Sequence, residues 1–329
     1  MATPYTVYHP LAAESMIAGG VGVSASQQRT ALEKAGVSYT GEADDDYDLV
    51  HLNFLGPTAL RALTRARRAD MPVVVHAHSL GDNVAGTYRF SNALAPLIRR
   101  YYGRIYRAAD TVIAVSEATR ERLRDRGIQG PIPVVSNGVD TEALDGRPEA
   151  PKPPDGPTVV NLAQVYDIKG VKTFIDVGTA LPEASFRWWG HRHPLLAPRA
   201  TKRRVERAPE NVAFPGFIDD KRAAFAAADV FFSPTHLETQ GLSVLEAAYC
   251  GLPIVVRDIP VFEYLTHGET CLKGTTTAEL TDAVQRLLED PELRTELGEA
   301  ARDWVADHTL ETVGQELRRV YEDTLLGAH

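Results

Sequence analysis

Two glutamates separated by seven residues, Glu238 and Glu246, form the spacing in this chain that most clearly predicts chemistry. The apolar residues around Glu246 recur at helical intervals, which predicts a loop that becomes a helix near Gly241 and ends at Gly251-Leu-Pro253. Two carboxylates and the first-turn amides of such a helix suit a sugar nucleotide, with one carboxylate for each polyol and the amides facing the diphosphate. A surface helix carrying two solvated glutamates is the alternative that the spacing alone leaves open.

A pair of histidines closes a predicted strand in the segment His76-Ala-His78-Ser79. Residues two apart on a strand share one face, so the two rings lie together. A metal pair would need a third ligand, and the sequence offers none nearby. We expect no metal, and we expect one histidine to contact an acceptor or a sugar. The acidic triplet Asp44-Asp-Asp46, which could hold a metal in another setting, is expected to solvate a turn.

Three loop segments could hold phosphate or carry polar groups. The glycine loop Ala18–Ser26, with Gly19 and Gly20, follows the first predicted strand, where backbone can approach a phosphate. Lys169-Gly170 follows another strand, and its lysine could neutralise a diphosphate leaving group. Ser136–Asp140 contains an Asn137-Gly turn that presents polar groups. A tight turn, a solvated lysine and a plain turn are the respective alternatives.

Two predicted helices of the first half carry basic residues along one face. The arginines at helical spacing are Arg61, Arg65 and Arg68 on one helix and Arg100, Arg104 and Arg107 on the other. A cationic face interleaved with tyrosines suits anionic lipid headgroups, at about 1 kcal/mol for each basic residue near the surface. Alternatively the arginines are merely solvated while Leu94, Leu97, Tyr101 and Ile105 pack inward. A membrane-facing basic surface and inward-packing apolar residues are compatible on the same helix.

The 329-residue length predicts two domains of ordinary soluble composition, with 44% hydrophobic and 24% charged residues. Most of the net charge of −9 falls in the second half, since residues 1–150 contain 16 Lys+Arg and 17 Asp+Glu. This acidity argues against a nucleic-acid partner. The two cysteines suggest neither a metal site nor a disulfide framework, and no apolar run is long enough to span a membrane. We therefore expect a cytoplasmic protein with at most peripheral membrane contact.

Short β-rich runs alternate with helical patterns, which predicts parallel sheets covered on both faces. The predicted strands of the first half are Tyr5–Tyr8, Asp48–Asn53, Pro72–His76, Thr111–Val115 and Ile132–Val135. Its predicted helices are Ser26–Ala35, Thr58–Arg68, Asn92–Arg107 and Glu117–Arg126. The predicted strands of the second half are Thr158–Asn161, Ser185–Trp189, Val212–Phe214, Asp229–Ser233 and Pro253–Val256. The last fifty residues are expected to be helical, including Glu311–Leu325.

A proline-rich stretch divides the two alternating patterns. The predicted organisation is an N-terminal domain over 1–147, a linker over 148–157, a second domain over 158–308 and a C-terminal helix over 309–329. Two doubly wound domains would place the carboxyl ends of their strands, where ligands bind, on either side of a central cleft.

The motifs together resemble the GT-B fold glycosyltransferases of family 4, and within it the 1,2-diacylglycerol 3-glucosyltransferases that make membrane glycolipids. The resemblance covers nearly the whole chain. The Glu238 to Glu246 segment and Lys169-Gly170 mark the broad family. The segments His76-Ala-His-Ser79, Ser136-Asn-Gly-Val-Asp140 and Arg257-Asp-Ile-Pro260 point to the glycolipid branch. The resemblance implies two Rossmann-like domains and a C-terminal helix that crosses back to the first.

The resemblance also implies roles for individual residues. Glu246 would bind the ribose, Glu238 and the amides near Gln240 and Gly241 the sugar, and Lys169 the diphosphate. His78 would stand beside the anomeric carbon and the acceptor. The full predicted donor set is Gly19, Gly20, Asn137, Lys169, Phe217, Glu238, Gln240, Gly241, Leu242 and Glu246, with His78, Lys169 and Glu238 catalytic. The acceptor and membrane set adds His76, Asp82 and the six arginines named above.

Three positions depart from the family pattern. Gln164 stands where many relatives have an arginine, Asn83 where some glycolipid relatives have an acidic residue, and Gln240 where an aromatic residue or a glutamate is usual. The first removes an expected phosphate contact, and Asp82 could substitute for the second. The third leaves the fit around the transferred sugar open.

The predicted reaction is a metal-independent transfer, with retained configuration, of a hexose to a membrane diacylglycerol or dialkylglycerol. The expected donor is UDP-glucose, no further cofactor is expected, and the expected location is the inner face of the cell membrane. The alternatives are a transferase of the same fold acting on a lipid-linked or soluble saccharide, and a non-catalytic protein that binds a sugar nucleotide or a membrane.

Overall fold

The computed structural model describes residues 3–10, 20–82, 91–146, 156–192 and 197–327. The chain forms two compact units. The first contains the described residues as far as Asp82, then Leu94–Asp140, and the C-terminal residues from His308. The second is built mainly from Thr141–Asp307. The chain passes between the units at Asp140–Thr141, before the proline-rich linker, most of which lies outside the described residues.

The first unit is a parallel sheet with strand order β2-β1-β3-β4-β5 and helices between the strands. Its strands are β1 (Thr6–Tyr8), β2 (Ser38–Thr40), β3 (Leu49–Leu52), β4 (Val73–Ala77) and β5 (Thr111–Ala114). Its helices before the linker are α1 (Gly20–Lys34), α2 (Pro57–Arg68), α3 (Ser91–Ala108) and α4 (Glu117–Asp125). Every residue of β3, β4 and β5 is buried, as expected for strands covered on both faces.

The second unit has a parallel sheet of order β11-β10-β9-β6-β7-β8. Its elements are α5 (Thr141–Leu144), β6 (Thr158–Leu162), α6 (Val171–Ala180), β7 (Ser185–Trp189), α7 (Arg199–Glu206), β8 (Val212–Gly216), α8 (Lys221–Ala226), β9 (Val230–Ser233), α9 (Leu242–Tyr249), β10 (Ile254–Arg257), β11 (Leu272–Gly274), α10 (Thr277–Glu289) and α11 (Pro291–Val305). An aromatic cluster around Phe174 and Trp188 lies in its core.

The last helix, α12 (Leu310–Gly327), belongs to the first unit, as the resemblance implies. It packs against α1, and the two backbones approach closely at Gly314. A Cβ atom on Gly314 would lie 2.1 Å from the carbonyl oxygen of Ala31. Tyr321 of the same helix is fully buried in the first unit's core. The first unit therefore needs α12 to complete its core.

The predicted elements agree with the structure except at short or proline-containing segments. The predicted strand Ile132–Val135 is wrong, since only Val134 forms a bridge, to Ala114. Pro131 and Pro133 accept hydrogen bonds from β5 but have no N–H to donate, so the ladder is incomplete. The three-residue strands β2 and β11 at the sheet edges were not predicted. Helix α1 extends over Gly20–Lys34, so the prediction that residues 20–26 form a loop and that the helix begins near Ser26 is wrong.

Candidate active site

The loop after β6 carries Lys169 and is fixed by a glycine. A single 3-10 turn, Asp167–Lys169, leads to Gly170, whose φ is +87°. A Cβ atom there would lie 2.2 Å from the carbonyl oxygen of Pro234, which follows β9. The amide of His236 also donates to the carbonyl of Ile168 at 2.9 Å. Glycine at position 170 thus allows the loops after β6 and β9 to lie against each other.

This packing brings together the two motifs that mark the broad family. The ammonium group of Lys169 forms an ion pair with the carboxylate of Glu238, and their side chains are only 24% and 18% exposed. The other carboxylate oxygen of Glu238 accepts the amide of Thr239 at 3.0 Å. A cation and a carboxylate far apart in sequence therefore form one polar site at the carboxyl ends of β6 and β9.

Helix α9 begins at the predicted glycine and carries the second glutamate. Gly241 adopts a φ of +88° and precedes the helix without a side-chain cap, and Leu242 is the first helical residue. Glu246, one turn further, is 5% exposed and forms an ion pair with Lys221. The predicted ribose ligand is thus a buried carboxylate with a cation beside it, which fits neither a solvated glutamate nor a surface helix.

Lys221 is a site residue that sequence reasoning missed. It is the first residue of α8, after the helix-capping Asp220, and its position follows no spacing relative to Glu246. A lysine after a capping aspartate is also an ordinary surface pattern. Only the three-dimensional contact between the two side chains reveals the pair.

Gln240 lies inside the motif and is buried. The hydroxyl of Tyr264 donates to its backbone carbonyl at 2.6 Å, and the Tyr264 ring stacks on Trp304 at 5.0 Å. Burial raises the pKa of Tyr264 well above its usual value, so the hydroxyl keeps its proton. The stacked pair of Tyr264 and Trp304 therefore supports the loop before α9 through the carbonyl of Gln240.

Arg257, in a segment typical of the glycolipid branch, connects three parts of the second unit. Its guanidinium donates to the carbonyl of Pro234 at 3.2 Å, to the hydroxyl of Thr173 at 3.0 Å and to the carbonyl of Thr275. Burial lowers the pKa of Arg257 from its usual value. Because it holds the Pro234 loop, Arg257 supports the segment that carries Glu238.

The remaining predicted donor residues lie elsewhere in the two units. Phe217 follows β8, with its ring 62% exposed and stacked on His191 at 5.1 Å. Asn137 is buried in the first unit, in the predicted turn, where the amide of Gly138 donates to the Ser136 hydroxyl at 3.2 Å. Gly20 begins α1, and Gly19 lies outside the described residues. Their predicted roles stay predictions.

The two predicted histidines belong to a buried group of four in the first unit. His76 and His78 stack in parallel with centroids 4.4 Å apart, and His51 stacks on His76 at 5.5 Å. His9 meets His51 edge to face at 5.2 Å. His9 and His51 were missed, although three predicted strands each contain a histidine or directly precede one, which was a usable signal. We call His9, His51, His76 and His78 the histidine cluster.

Polar side chains link the rings of the histidine cluster. The amide groups of Gln28 and Asn53 contact His9, His76 and His78, and Nδ1 of His51 lies 2.7 Å from the Tyr321 hydroxyl. Burial lowers the pKa of every ring, to about 4 for His9 and about 3 for His78. The cluster is therefore neutral at pH 7. Within the described ranges, no three His, Cys, Asp or Glu side chains are placed to hold a metal ion.

Asp82 lies among arginines of the first unit. Its carboxylate contacts Arg122 and Arg126, and Arg99 stands 3.7 Å away. The acidic triplet lies in an exposed turn, where Asp44 pairs with Arg65 at 3.3 Å. The turn is as predicted.

The six arginines predicted to face a membrane are all exposed on α2 and α3. The alternative in which Leu94, Leu97, Tyr101 and Ile105 pack inward fails for the two leucines, which are 54% and 65% exposed. Ile105 is buried as that alternative has it, and so is Ala95, while Leu94 and Leu97 lie outside the buried face of α3. No helix in the described part of the chain is long and apolar enough to cross a membrane.

Two protein families match successive parts of this chain. Residues 39–143 match the family described as Glycosyltransferase Family 4, and residues 156–290 match Glycosyl transferases group 1. A processive diacylglycerol alpha-glucosyltransferase of Acholeplasma laidlawii is 29% identical over 318 residues, which cover 93% of this chain and 94% of the relative. An alpha-galactosylglucosyldiacylglycerol synthase of Streptococcus pneumoniae is 24% identical, covering 72% of this chain and 68% of the relative.

Solved structures show the same fold. Sucrose-phosphate synthase from Thermosynechococcus elongatus superposes with a TM-score of 0.81 at 21% identity, covering 98% of this chain and 99% of that one. HepE from Anabaena, in complex with UDP-glucose, superposes with a TM-score of 0.75 at 17% identity over 97% and 99%. The two parallel α/β units and the two successive family matches, which together cover most of the chain, place it among the GT-B glycosyltransferases of family 4, as a hexosyltransferase.

Proposed function

We propose that this enzyme transfers glucose from UDP-glucose to the free hydroxyl of a membrane diacylglycerol or dialkylglycerol, with retained configuration and without a metal. The observation that carries the proposal is the Lys169–Glu238 ion pair, which lies just before the uncapped amino end of α9. The relative similar over 93% of the chain is named for diacylglycerol glucosylation, which supports the lipid acceptor. The HepE complex with UDP-glucose supports this donor on the same fold.

The donor site divides into a sugar end and a ribose end. Glu238 accepts hydrogen bonds from sugar hydroxyls, while Glu246, about one turn into α9, accepts those of the ribose diol. Glu246 is buried, so little water is bound to its carboxylate before the donor arrives. A ribose hydroxyl that donates to it therefore displaces little water. Amides at the start of α9 and the ammonium of Lys169 take the diphosphate.

The reaction requires stabilisation of the charges that develop on the leaving diphosphate and on the sugar. The bond between the anomeric carbon and the phosphate oxygen breaks, negative charge develops on the diphosphate, and the sugar gains oxocarbenium character. In this proposal Lys169 stabilises the leaving charge, and Glu238, with which Lys169 is paired, binds the sugar. The acceptor oxygen bonds to the face that the leaving group vacates, and its proton passes to the departing phosphate. His78 contacts the acceptor in this scheme as a neutral ring.

The test is a panel of labelled UDP-glucose, UDP-galactose and GDP-mannose, each incubated with diacylglycerol, dialkylglycerol and a monoglucosylated lipid. A one-hexose mass gain on the diradylglycerols with UDP-glucose, in α linkage, is the expected result. Transfer only to a soluble or lipid-linked saccharide would favour the second acceptor class. Binding of UDP-glucose without turnover on any acceptor would contradict an enzymatic role. Activity that is lost on chelation would contradict metal independence.

We also propose that the first unit docks peripherally on an anionic membrane through α3. Leu94 and Leu97 are exposed apolar residues on the same helix as the exposed Arg100 and Arg104, a combination suited to the boundary between headgroups and acyl chains. Leu97→Asp should reduce sedimentation with vesicles rich in anionic lipid. Leu326→Asp, at a leucine 76% exposed on α12, is the matched control and should not. Equal binding of the two variants would contradict docking through α3.

A further inference from the structure

The peptide group between Gln240 and Gly241 is held on one side by a tyrosine. Its carbonyl oxygen, which belongs to Gln240, accepts a hydrogen bond from the Tyr264 hydroxyl at 2.6 Å. None of the described peptide bonds is cis, and the C=O and N–H of a trans peptide point in opposite directions. The N–H of Gly241 therefore points away from Tyr264.

The Gly241 N–H is a buried donor without a protein acceptor. Gly241 is buried, and among the residues that the structure describes no atom accepts a hydrogen bond from its amide. Buried backbone N–H groups without a partner are rare in folded proteins, so the partner of this one is expected to come from outside the chain. A hydroxyl or phosphate oxygen of a ligand is a suitable acceptor.

The dihedral angles of Gly241 separate its N–H from the amides of the first helical turn. Its φ of +88° differs by roughly 150° from the helical value of about −63°, so its peptide plane is turned away from the helical orientation. The N–H groups of Leu242 and Ser243, at the start of α9, point along the helix axis, as a diphosphate ligand requires. The Gly241 N–H therefore serves a different part of the ligand.

Glycine at position 241 would allow this peptide to turn over. Turning it over would bring φ of Gly241 to about −90° at its ψ of 67°, near the inverse γ-turn region that the backbone tolerates. The N–H would then face Tyr264, whose hydroxyl could only accept from it. The hydroxyl hydrogen would lose its acceptor, since Tyr264 has no other hydrogen-bond partner among the described residues. The hydroxyl thus favours the orientation in which the Gly241 N–H faces away.

We propose that Tyr264 is a positioning residue which fixes the Gln240–Gly241 peptide so that the Gly241 N–H donates a hydrogen bond to a hydroxyl of the transferred hexose. The choice of the hexose rests on the proposed function, in which Glu238, two residues before Gln240, binds the sugar. A donor that is held in place before the sugar arrives needs no reorganisation on binding.

The orientation of this peptide can be tested by NMR. The sequence contains two Gln-Gly pairs, Gln129-Gly130 and Gln240-Gly241. Full-length protein carrying ¹³C-carbonyl glutamine and ¹⁵N-glycine therefore gives two cross-peaks in an HNCO spectrum. Gln129→Glu, at an exposed position, removes the first and so assigns the second. The carbonyl shift of Gln240 should move in Tyr264→Phe, while that of Gln129 should stay.

Donor titrations then test the contact with the hexose. Tyr264→Phe removes the hydroxyl and keeps the ring contacts with Trp304 at 5.0 Å and Phe262 at 6.0 Å. Its affinity for UDP-glucose should fall about fivefold, as expected for one lost hydrogen bond, whereas its affinity for UDP, which has no hexose, should be unchanged. Tyr249→Phe is the matched control, since it removes a tyrosine hydrogen bond of 2.8 Å, to Asp145, at the other end of α9 and should change neither affinity.

The outcomes separate this inference from the proposed function. An unmoved Gln240 carbonyl shift in Tyr264→Phe, or an unchanged affinity for UDP-glucose, would overturn the role of Tyr264. Equal losses of affinity for UDP and UDP-glucose would indicate a general structural role and would overturn it as well. A loss confined to UDP-glucose, together with no hexose transfer to any lipid, would uphold the role of Tyr264 and contradict the lipid acceptor.

Discussion

The ammonium group of Lys169 pairs with the carboxylate of Glu238, although the two residues belong to different loops of the second unit. Neither loop could hold its side chain there alone. Gly170 lets the first loop approach Pro234, and Arg257 holds the carbonyl of Pro234 from the other side. The charge pair is thus a product of close backbone packing.

Lys169→Ala should lower turnover by roughly 10²–10³-fold, because it removes a charge that stabilises the leaving diphosphate. Binding of vesicles by the variant should be unchanged. Lys172→Ala is the matched control, since Lys172 lies one turn away, is 62% exposed and pairs with Asp176 on the same helix. Single-turnover rates with labelled donor measure the effect. Equal rates for the two variants would remove Lys169 from the mechanism.

Glu246→Ala should weaken donor binding by about 1.5–3 kcal/mol, the range for hydrogen bonds to a charged group. The measurement is calorimetric titration with UDP. The same loss should be absent for uridine-free pyrophosphate, which has no ribose. An unchanged UDP affinity would contradict the ribose assignment.

The pair of Lys221 and Glu246 predicts a nonadditive stability change. Lys221→Met leaves the Glu246 carboxylate buried without its cation and should cost about 1–3 kcal/mol of unfolding free energy. The double variant Lys221→Met/Glu246→Gln removes that charge and should regain much of the loss. Urea unfolding of the two single variants and the double variant gives the coupling. Additive changes would mean that the two side chains do not interact.

Gly170→Ala and Gly268→Ala separate backbone strain from steric conflict. Both glycines have φ above +80°, so each alanine costs about 1–2 kcal/mol of backbone strain. Only at Gly170 would the new Cβ atom also meet an oxygen, at 2.2 Å, whereas the space at Gly268 is open. Gly170→Ala should therefore lower the Tm much further and weaken UDP binding. Matching melting curves for the two variants would argue against the close packing of the loops.

The histidine cluster predicts a loss of stability in acid. His9 has a pKa of about 4 in the folded protein, because of burial and the nearby Arg29, against about 6.5 in the unfolded chain. The unfolded chain therefore binds more protons below pH 6.5. The stabilisation is complete above that pH and is lost at about 1.4 kcal/mol per pH unit as the pH falls toward 4.

Urea unfolding at pH 7, 6 and 5 measures this dependence. The slope of unfolding free energy against pH should be smaller in His9→Gln by the contribution of one histidine. The other three rings, whose pKa values are also lowered by burial, should retain their share of the slope. An identical slope in wild type and variant would show that His9 binds its proton at the same pH in the folded and unfolded protein, which would contradict the lowered pKa.

Local patterns in the sequence predicted those features that depend on neighbouring residues. The helix expected from Gly241 to the Gly251 segment is α9, Leu242–Tyr249, because apolar spacing and flanking glycines define both ends. The alternation of strands and helices likewise predicted both parallel sheets. The short edge strands were missed because three residues carry too little pattern.

Partnerships between distant residues could not be predicted in this way. Lys221 reaches Glu246, Gln28 reaches three rings, and Tyr321 reaches His51 only after helices pack on sheets. No periodic pattern in the sequence predicts such contacts between distant residues. The sequence also could not decide whether Leu94 and Leu97 pack inward, since they have the residue type of a core but lie on the surface of α3.

The close contact of Gly314 with Ala31 has a consequence for biosynthesis. Helix α12 reaches the ribosome exit only after residues 141–307, whose strands β6 to β11 form a continuous run that can fold as soon as it emerges. Until then the first unit lacks the helix that covers α1, and His51 lacks the hydroxyl of Tyr321. The unit whose strands are translated first is therefore completed last, and the second unit of a nascent chain can fold before the histidine cluster of the first unit is closed.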